Sequence, residues 1–151
     1  AQAEAIRQGC DQVVFLDAVE RRWVEELGGM NVFFVFEDGS IQTPPLDGTI
    51  LHGVTRDSLL TLARDMGVTV REEPYSIEQW KDDGESKRLT EAFACGTAAV
   101  VTPIGPVKGI HGQFTIGGQS IGTLTLRLRS ALVDIQRGAA PDPYGWTEQV
   151  V

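Results

Sequence analysis

Apolar positions fall in short blocks along the chain. The longest runs, Val32-Phe33-Phe34-Val35-Phe36 and Ala98-Ala99-Val100-Val101, are strand-sized. Residues 12–16 read as a short apolar strand. Residues 31–36, aromatic and β-branched, read as a second strand. Glu37-Asp38-Gly39-Ser40 is a hairpin signal, with 41–43 the return strand ended by Pro44-Pro45. Strands are also predicted at 68–71, 91–94 and 99–102, and a small hairpin at 107–110 and 113–116. Helical spacing appears twice at length. Over 55–66, Leu59, Leu62, Ala63 and Met66 share a face, with Thr55 as predicted N-cap and Gly67 as stop. Over 121–136, Ile121, Leu124, Leu128, Leu132 and Ile135 recur, with Gly117-Gly118 before and Gly138 after. A shorter helix is predicted at 76–81, capped by Ser76. The charged stretch 17–27 reads as irregular or helical, and residues 1–8 as the end of a helix stopped by Gly9.

Strands and helices are mixed throughout, which predicts an α/β fold in one domain over residues 1–151. No apolar run approaches a membrane span of roughly 20 residues. The net charge is −8 with scattered cations, which argues against nucleic acid as a partner but leaves room for one small phosphorylated ligand. The two cysteines, Cys10 and Cys95, lie far apart. With no ligand-spaced Cys/His cluster, zinc or another metal is not expected. The spacing fits free thiols in a reducing compartment, and a cytoplasmic location is expected. The N-terminus lacks the basic and apolar regions of a signal peptide, and it reads as a cut inside a longer protein.

Three segments carry candidate chemistry. Leu51-His52-Gly53-Val54-Thr55-Arg56 places a glycine before a helix start, where free amides and the Thr55 hydroxyl would suit a phosphate. Ala94-Cys95-Gly96-Thr97-Ala98-Ala99 places small residues and a hydroxyl in a turn between strands. Glu26, beside Gly28-Gly29, is a carboxylate held near an apolar strand, and one buried there would need a partner. Each alone is an ordinary feature: a loop-to-helix junction, a tight turn, a surface acid. Arg56 reads equally as a phosphate partner or as a surface cation. His52 and His111 read as loop or packing residues, Ser58 and Ser120 as helix-start residues. Cys95, next to the second turn, is expected to feel the amides as a lowered thiol pKa.

In order, these segments resemble the signature of class IV aminotransferases. Glu26-Leu27-Gly28-Gly29-Met30-Asn31-Val32-Phe33, then Ile41-Gln42-Thr43, then Leu51-His52-Gly53-Val54-Thr55-Arg56 meet every fixed position of Glu-x-small-x-x-Asn-apolar-aromatic, apolar-x-Thr and apolar-x-Gly-apolar-x-Arg. Gly96-Thr97-Ala98 follows where that family has a second phosphate turn. Gly9-Cys10-Asp11-Gln12-Val13, Thr43-Pro44-Pro45-Leu46 and Tyr144-Gly145-Trp146-Thr147-Glu148 look like the branched-chain subgroup.

The resemblance implies the C-terminal large domain of a fold-type IV enzyme, a mixed-sheet pseudo-barrel flanked by helices, with pyridoxal 5′-phosphate as cofactor. It implies that Glu26 pairs with the pyridine nitrogen, Leu51 packs on the ring, and Val54, Thr55 and Thr97 bind the phosphate. Ala98 would offer its amide to the substrate carboxylate. The implied reaction moves the amino group between leucine, isoleucine or valine and 2-oxoglutarate, in a homodimer, with the N-terminal domain of the same protein completing the site. The lysine that would form the Schiff base belongs upstream of Ala1, since Lys81, Lys87 and Lys108 stand in no matching context. No catalytic residue is therefore assigned within this chain. Transfer of D-amino acids, aminodeoxychorismate cleavage, and a non-catalytic folded fragment remain as alternatives.

Overall fold

The computed structural model describes residues 1–109, 112–117, 121–148 and 150. The readings at His111, Gly118 and Ser120 lie outside them. The element order is α1 (Gln2–Arg7), β1 (Val14–Leu16), β2 (Val24–Leu27), β3 (Met30–Phe36), β4 (Ile41–Thr43), α2 (Val54–Asp65), β5 (Val70–Glu72), α3 (Ile77–Glu85), β6 (Leu89–Gly96), β7 (Val100–Pro103), β8 (Pro106–Gly109), β9 (Gly112–Thr115) and α4 (Thr123–Gln136). This is the α/β mixture that the periodicity predicts.

Strand β3 is the hub of the main sheet. One of its edges pairs with β6 from residue 31 to 36. Its other edge is shared: β2 takes the start, at Met30 and Asn31, and β4 takes the end, at Phe34 and Val35. In the gap between them the hydroxyl of Thr43, the last residue of β4, donates to the Val32 carbonyl at 2.7 Å. The β4–β5 pair is parallel and the other pairs are antiparallel, so the sheet is mixed. β8 and β9 form a separate hairpin.

Both faces of β3 are covered, which explains why its sequence is continuously apolar rather than alternating. Phe33 and Val35 point into a core with Leu59, Leu62, Leu128 and Leu132 of α2 and α4. Val32 and Phe34 point the other way, against Tyr75, Trp80 and Phe114. The predicted face of α2 is the face that is buried, with Met66 packed at its edge. Among the described residues no helix is long and apolar enough to cross a membrane.

Four local readings change. Part of the 17–27 stretch is strand β2, because Val24, Glu26 and Leu27 pair with β1 and the last two also with β3; tertiary pairing overrides a polar composition. The N-cap of α2 is Gly53, not Thr55, and no side chain caps it. Ser58 lies inside α2, where its hydroxyl donates to the Val54 carbonyl at 3.0 Å. Strand β6 runs through Gly96, so Cys95 is a sheet residue and the turn begins at Thr97.

Candidate functional site

The three segments singled out in the sequence meet around Asn31. Asn31 lies opposite Glu26 of β2 on one side and opposite Cys95 of β6 on the other. Its side-chain amide donates to the Leu51 carbonyl at 2.9 Å. A Cβ built on Gly53 would stand 2.1 Å from the Asn31 Oδ1, so only glycine lets the start of α2 come this close to β3. One buried asparagine thus ties Glu26, the Leu51–Val54 approach and the end of β6 into one neighbourhood.

Glu26 is half-buried, and its Oε1 accepts the Leu51 N–H at 2.8 Å. Among the described residues the second oxygen has no hydrogen-bond partner, so the carboxylate is anchored by one atom and available through the other. The β2–β3 turn that presents it is Gly28-Gly29, with φ of 59° and 89°, left-handed values suited to a tight two-residue hairpin. Leu51, held at its N–H by Glu26 and at its carbonyl by Asn31, turns its side chain outward and is 67 % exposed.

The helix ends differ in how they are satisfied. The N-terminus of α3 is closed by a capping box between Ser76 and Gln79. That of α4 is closed by a carboxylate from the sheet: Glu91 accepts from the Leu124 and Thr125 amides at 3.1 and 2.8 Å and from the Thr125 hydroxyl at 2.7 Å. That of α2 has no side-chain cap among the described residues, and its first intrahelical bond runs from the Asp57 amide to Gly53. The Val54, Thr55 and Arg56 amides therefore stand at an end carrying about half a positive charge. Val54 is 82 % exposed beside it. An anion fits this donor set.

The second turn rises from the same sheet row. Gly96 pairs with Val100, leaving residues 97–99 as the loop, with Thr97 and Ala98 exposed. A Cβ on Gly96 would come 3.3 Å from the Met30 side chain, next to Asn31. Val100 closes the loop at φ 56°, a left-handed conformation costing a β-branched residue about 1–3 kcal/mol. The cradle is an open surface. A cleft of about 230 Å³ between Trp23, Glu25, Pro45 and Ile50 lies nearby, but its lining includes neither Val54 nor Thr97.

Two sequence expectations are corrected. Cys95 does not feel the turn as a lowered pKa. It is fully buried in the α2/α4 core, and burial pushes its thiol up to about 12, against a smaller downward pull from the Arg56 charge. Arg56 is neither a phosphate partner in the open nor a surface cation. It is 3 % exposed, and its Nη2 donates to the Pro44 carbonyl at 3.0 Å and to Glu72 at 2.9 Å. His52 is exposed. Asn31 and Thr43 stand in the motif, but sequence reasoning gives them no task. Their signal is an amide and a hydroxyl at fixed spacing in apolar strands, where a buried polar group must find a partner.

Residues 1–107 match the family Amino-transferase class IV, and the chain belongs to that family. Across its length it is similar to proteins named for one activity. It is 59 % identical over 146 residues to the "Probable branched-chain-amino-acid aminotransferase" of Streptomyces coelicolor, covering 97 % of this chain and 40 % of that protein. It is 47 % identical over 151 residues to branched-chain-amino-acid transaminase 1 of Bacillus subtilis, covering 99 % and 42 %. Among solved structures, branched-chain amino acid aminotransferase from Escherichia coli superposes with a TM-score of 0.81 at 33 % identity, over 97 % of this chain and 44 % of that one. A second branched-chain amino acid aminotransferase, solved in complex with N-(5′-phosphopyridoxyl)-L-glutamate, gives a TM-score of 0.79 at 33 % identity, over 97 % and 44 %. The fold is thus that of these fold-type IV enzymes, and the chain spans about 40 % of the length of the curated relatives it matches.

Proposed function

We propose that the full-length protein is a pyridoxal-phosphate-dependent branched-chain amino-acid aminotransferase, moving the amino group between leucine, isoleucine or valine and 2-oxoglutarate. This chain contributes the part of the site that binds the ring nitrogen and the phosphate. The observation that carries the reading is the gathering of Glu26, the uncapped α2 N-terminus and the Thr97 turn around Asn31. The branched-chain name that these relatives carry favours branched-chain substrates over the other reactions of the family. The ligand of the second solved enzyme joins a phosphopyridoxyl group to glutamate, the amino acid paired with 2-oxoglutarate.

When bound, pyridoxal phosphate supplies an electron-withdrawing ring that stabilises negative charge at the substrate Cα. Glu26 keeps one oxygen on the Leu51 amide and offers the other to the protonated ring nitrogen, holding that proton in place. The exposed Leu51 side chain would cover one face of the ring and keep water from it. The Val54 and Thr55 amides, with the Thr55 and Thr97 hydroxyls, would hold the phosphate at a helix end that is itself positive. The Ala98 amide receives the substrate carboxylate. Proton transfer at Cα falls to a lysine outside this chain. Lys81, Lys87 and Lys108 sit on α3, after it, and on β8, which contribute nothing to the cradle. The N-terminal domain that completes the site, the homodimer and the cytoplasmic location belong to the same proposal.

Glu26→Gln tests it in the full-length protein. Turnover with leucine should fall about a hundredfold or more, the scale of losing one preorganised electrostatic contact. Affinity for pyridoxal phosphate should change little, since the phosphate contacts remain. Wild-type-like turnover in the variant would sink the assignment of Glu26.

A further inference from the structure

Arg56 is the third residue of α2, within the first turn whose amides face outward. A guanidinium buried to 3 % exposure is costly unless paired. Its pairing is unusual, because a single nitrogen makes both contacts. Nη2 reaches the Pro44 carbonyl at the end of β4 and Glu72 at the end of β5, 3.0 and 2.9 Å away. These two strand ends are neighbours in the parallel pair, with Thr43 opposite Glu72. The same Glu72 accepts from Arg64, in the last turn of α2, at 2.9 Å through its other oxygen. One carboxylate therefore grips α2 near both ends. Partial burial raises the Glu72 pKa, but the two guanidiniums outweigh it and hold the carboxyl below its ordinary range.

Among the described residues the buried Nε of Arg56 has no hydrogen-bond partner. A buried cation with an idle donor is a poor stability device, and well-packed apolar residues of similar size are often as good or better. What it supplies instead is a fixed register between the start of α2 and the strand ends, and a positive charge beneath the helix N-terminus. That charge is felt at Cys95, one residue before Gly96 at the second turn.

We propose that Arg56, held by Glu72, is a positioning residue for the anion end of the site. It fixes where the Val54 and Thr55 amides point. The inference rests on the function proposed above and assigns the phosphate end specifically.

The test uses the full-length protein as wild type, Arg56→Gln, Arg56→Lys and Glu72→Gln. Dissociation constants are measured for pyridoxal phosphate and for pyridoxal, which lacks the phosphate, together with the melting temperature without cofactor. Arg56→Gln should weaken pyridoxal phosphate about tenfold or more, the scale for disturbing hydrogen bonds to a charged group. Pyridoxal should weaken by less than about threefold on the same scale. Arg56→Lys should recover most of the loss, because one ammonium can reproduce contacts made by one nitrogen. If Arg56→Gln does not fold, Glu72→Gln should show the same selective loss at smaller size. Equal weakening of both ligands, or a lower melting temperature with unchanged phosphate preference, would overturn the inference while leaving the function intact. A wild-type protein that binds neither ligand would overturn the function, and the role of Arg56 with it.

Discussion

Gly53 has no side chain because Asn31 occupies the space a Cβ would need, at 2.1 Å. Its φ of −70° is open to any residue, so the constraint is steric rather than conformational. Gly53→Ala should therefore destabilise by about 1–3 kcal/mol, as overpacking does, and should weaken pyridoxal phosphate by shifting the start of α2. Adding Asn31→Ala should restore part of the stability lost at position 53. A double-mutant cycle by chemical denaturation, giving a coupling of at least about 0.5 kcal/mol, would show this, whereas strict additivity would count against the contact. The same scale separates what is legible in the sequence from what is hidden. Glu26, Gly53 and Thr97 stand out in the sequence only through their order in one motif, because each alone is an ordinary acid, glycine or hydroxyl. Cys95 misleads because adjacency to a turn says nothing about direction. In β6 its side chain falls on the face packed against α2 and α4. Of the two cysteines of this chain, Cys10 should react with a disulfide reagent at pH 8 in the native protein, and Cys95 only after unfolding. Rapid native reaction of both would refute the burial.

At the level of elements, the N-terminus of α2 is satisfied differently from those of α3 and α4. Glu91 closes α4 with three accepted hydrogen bonds, and Gly122 is needed there because a Cβ would overlap the Glu91 carboxylate at 2.0 Å. Glu91→Ala should cost about 1–3 kcal/mol, the range of a lost cap and charged hydrogen bonds, measured as a fall in melting temperature without loss of cofactor selectivity. Removing the carboxylate that caps α4 would thus leave the site intact. Strand β2 is the element least legible in advance. Its charged run offers no period, and it becomes a strand only through partners on both sides and the turn before it. Asp17 builds that turn by accepting from the Val19, Glu20, Arg22 and Trp23 amides at 3.1, 2.5, 2.9 and 2.9 Å. The Arg22 amide foremost, with Trp23, lowers its pKa from 3.8 to about 2. A depressed folded pKa stabilises the fold above the unfolded value and loses that contribution as pH falls. Stability attributable to Asp17 should hold above about pH 4 and vanish toward pH 2. Asp17→Asn should flatten the acid limb of the stability profile in that window, and an unchanged profile would show that Asp17 contributes nothing there.

Over the whole molecule, a sheet covered on both faces supplies a rigid floor, and the site lies at one end of its central strands. Long periodic helices and the apolar run of β3 make the α/β class and most elements readable, because core burial imposes those patterns. The convergence is not readable from pattern alone, since it depends on β3 pairing with β6 across residues far apart in sequence. The ordered motif stands in for that missing geometry. The central claim is that Glu26, the α2 N-terminus and the Thr97 turn form one cradle for pyridoxal phosphate. A crystal structure of the full-length protein with that cofactor tests it most directly. The ring nitrogen is expected on the free oxygen of Glu26, and the phosphate on the Val54 and Thr55 amides and the Thr97 hydroxyl. A phosphate bound away from the start of α2, or a ring nitrogen paired with another residue, would contradict it.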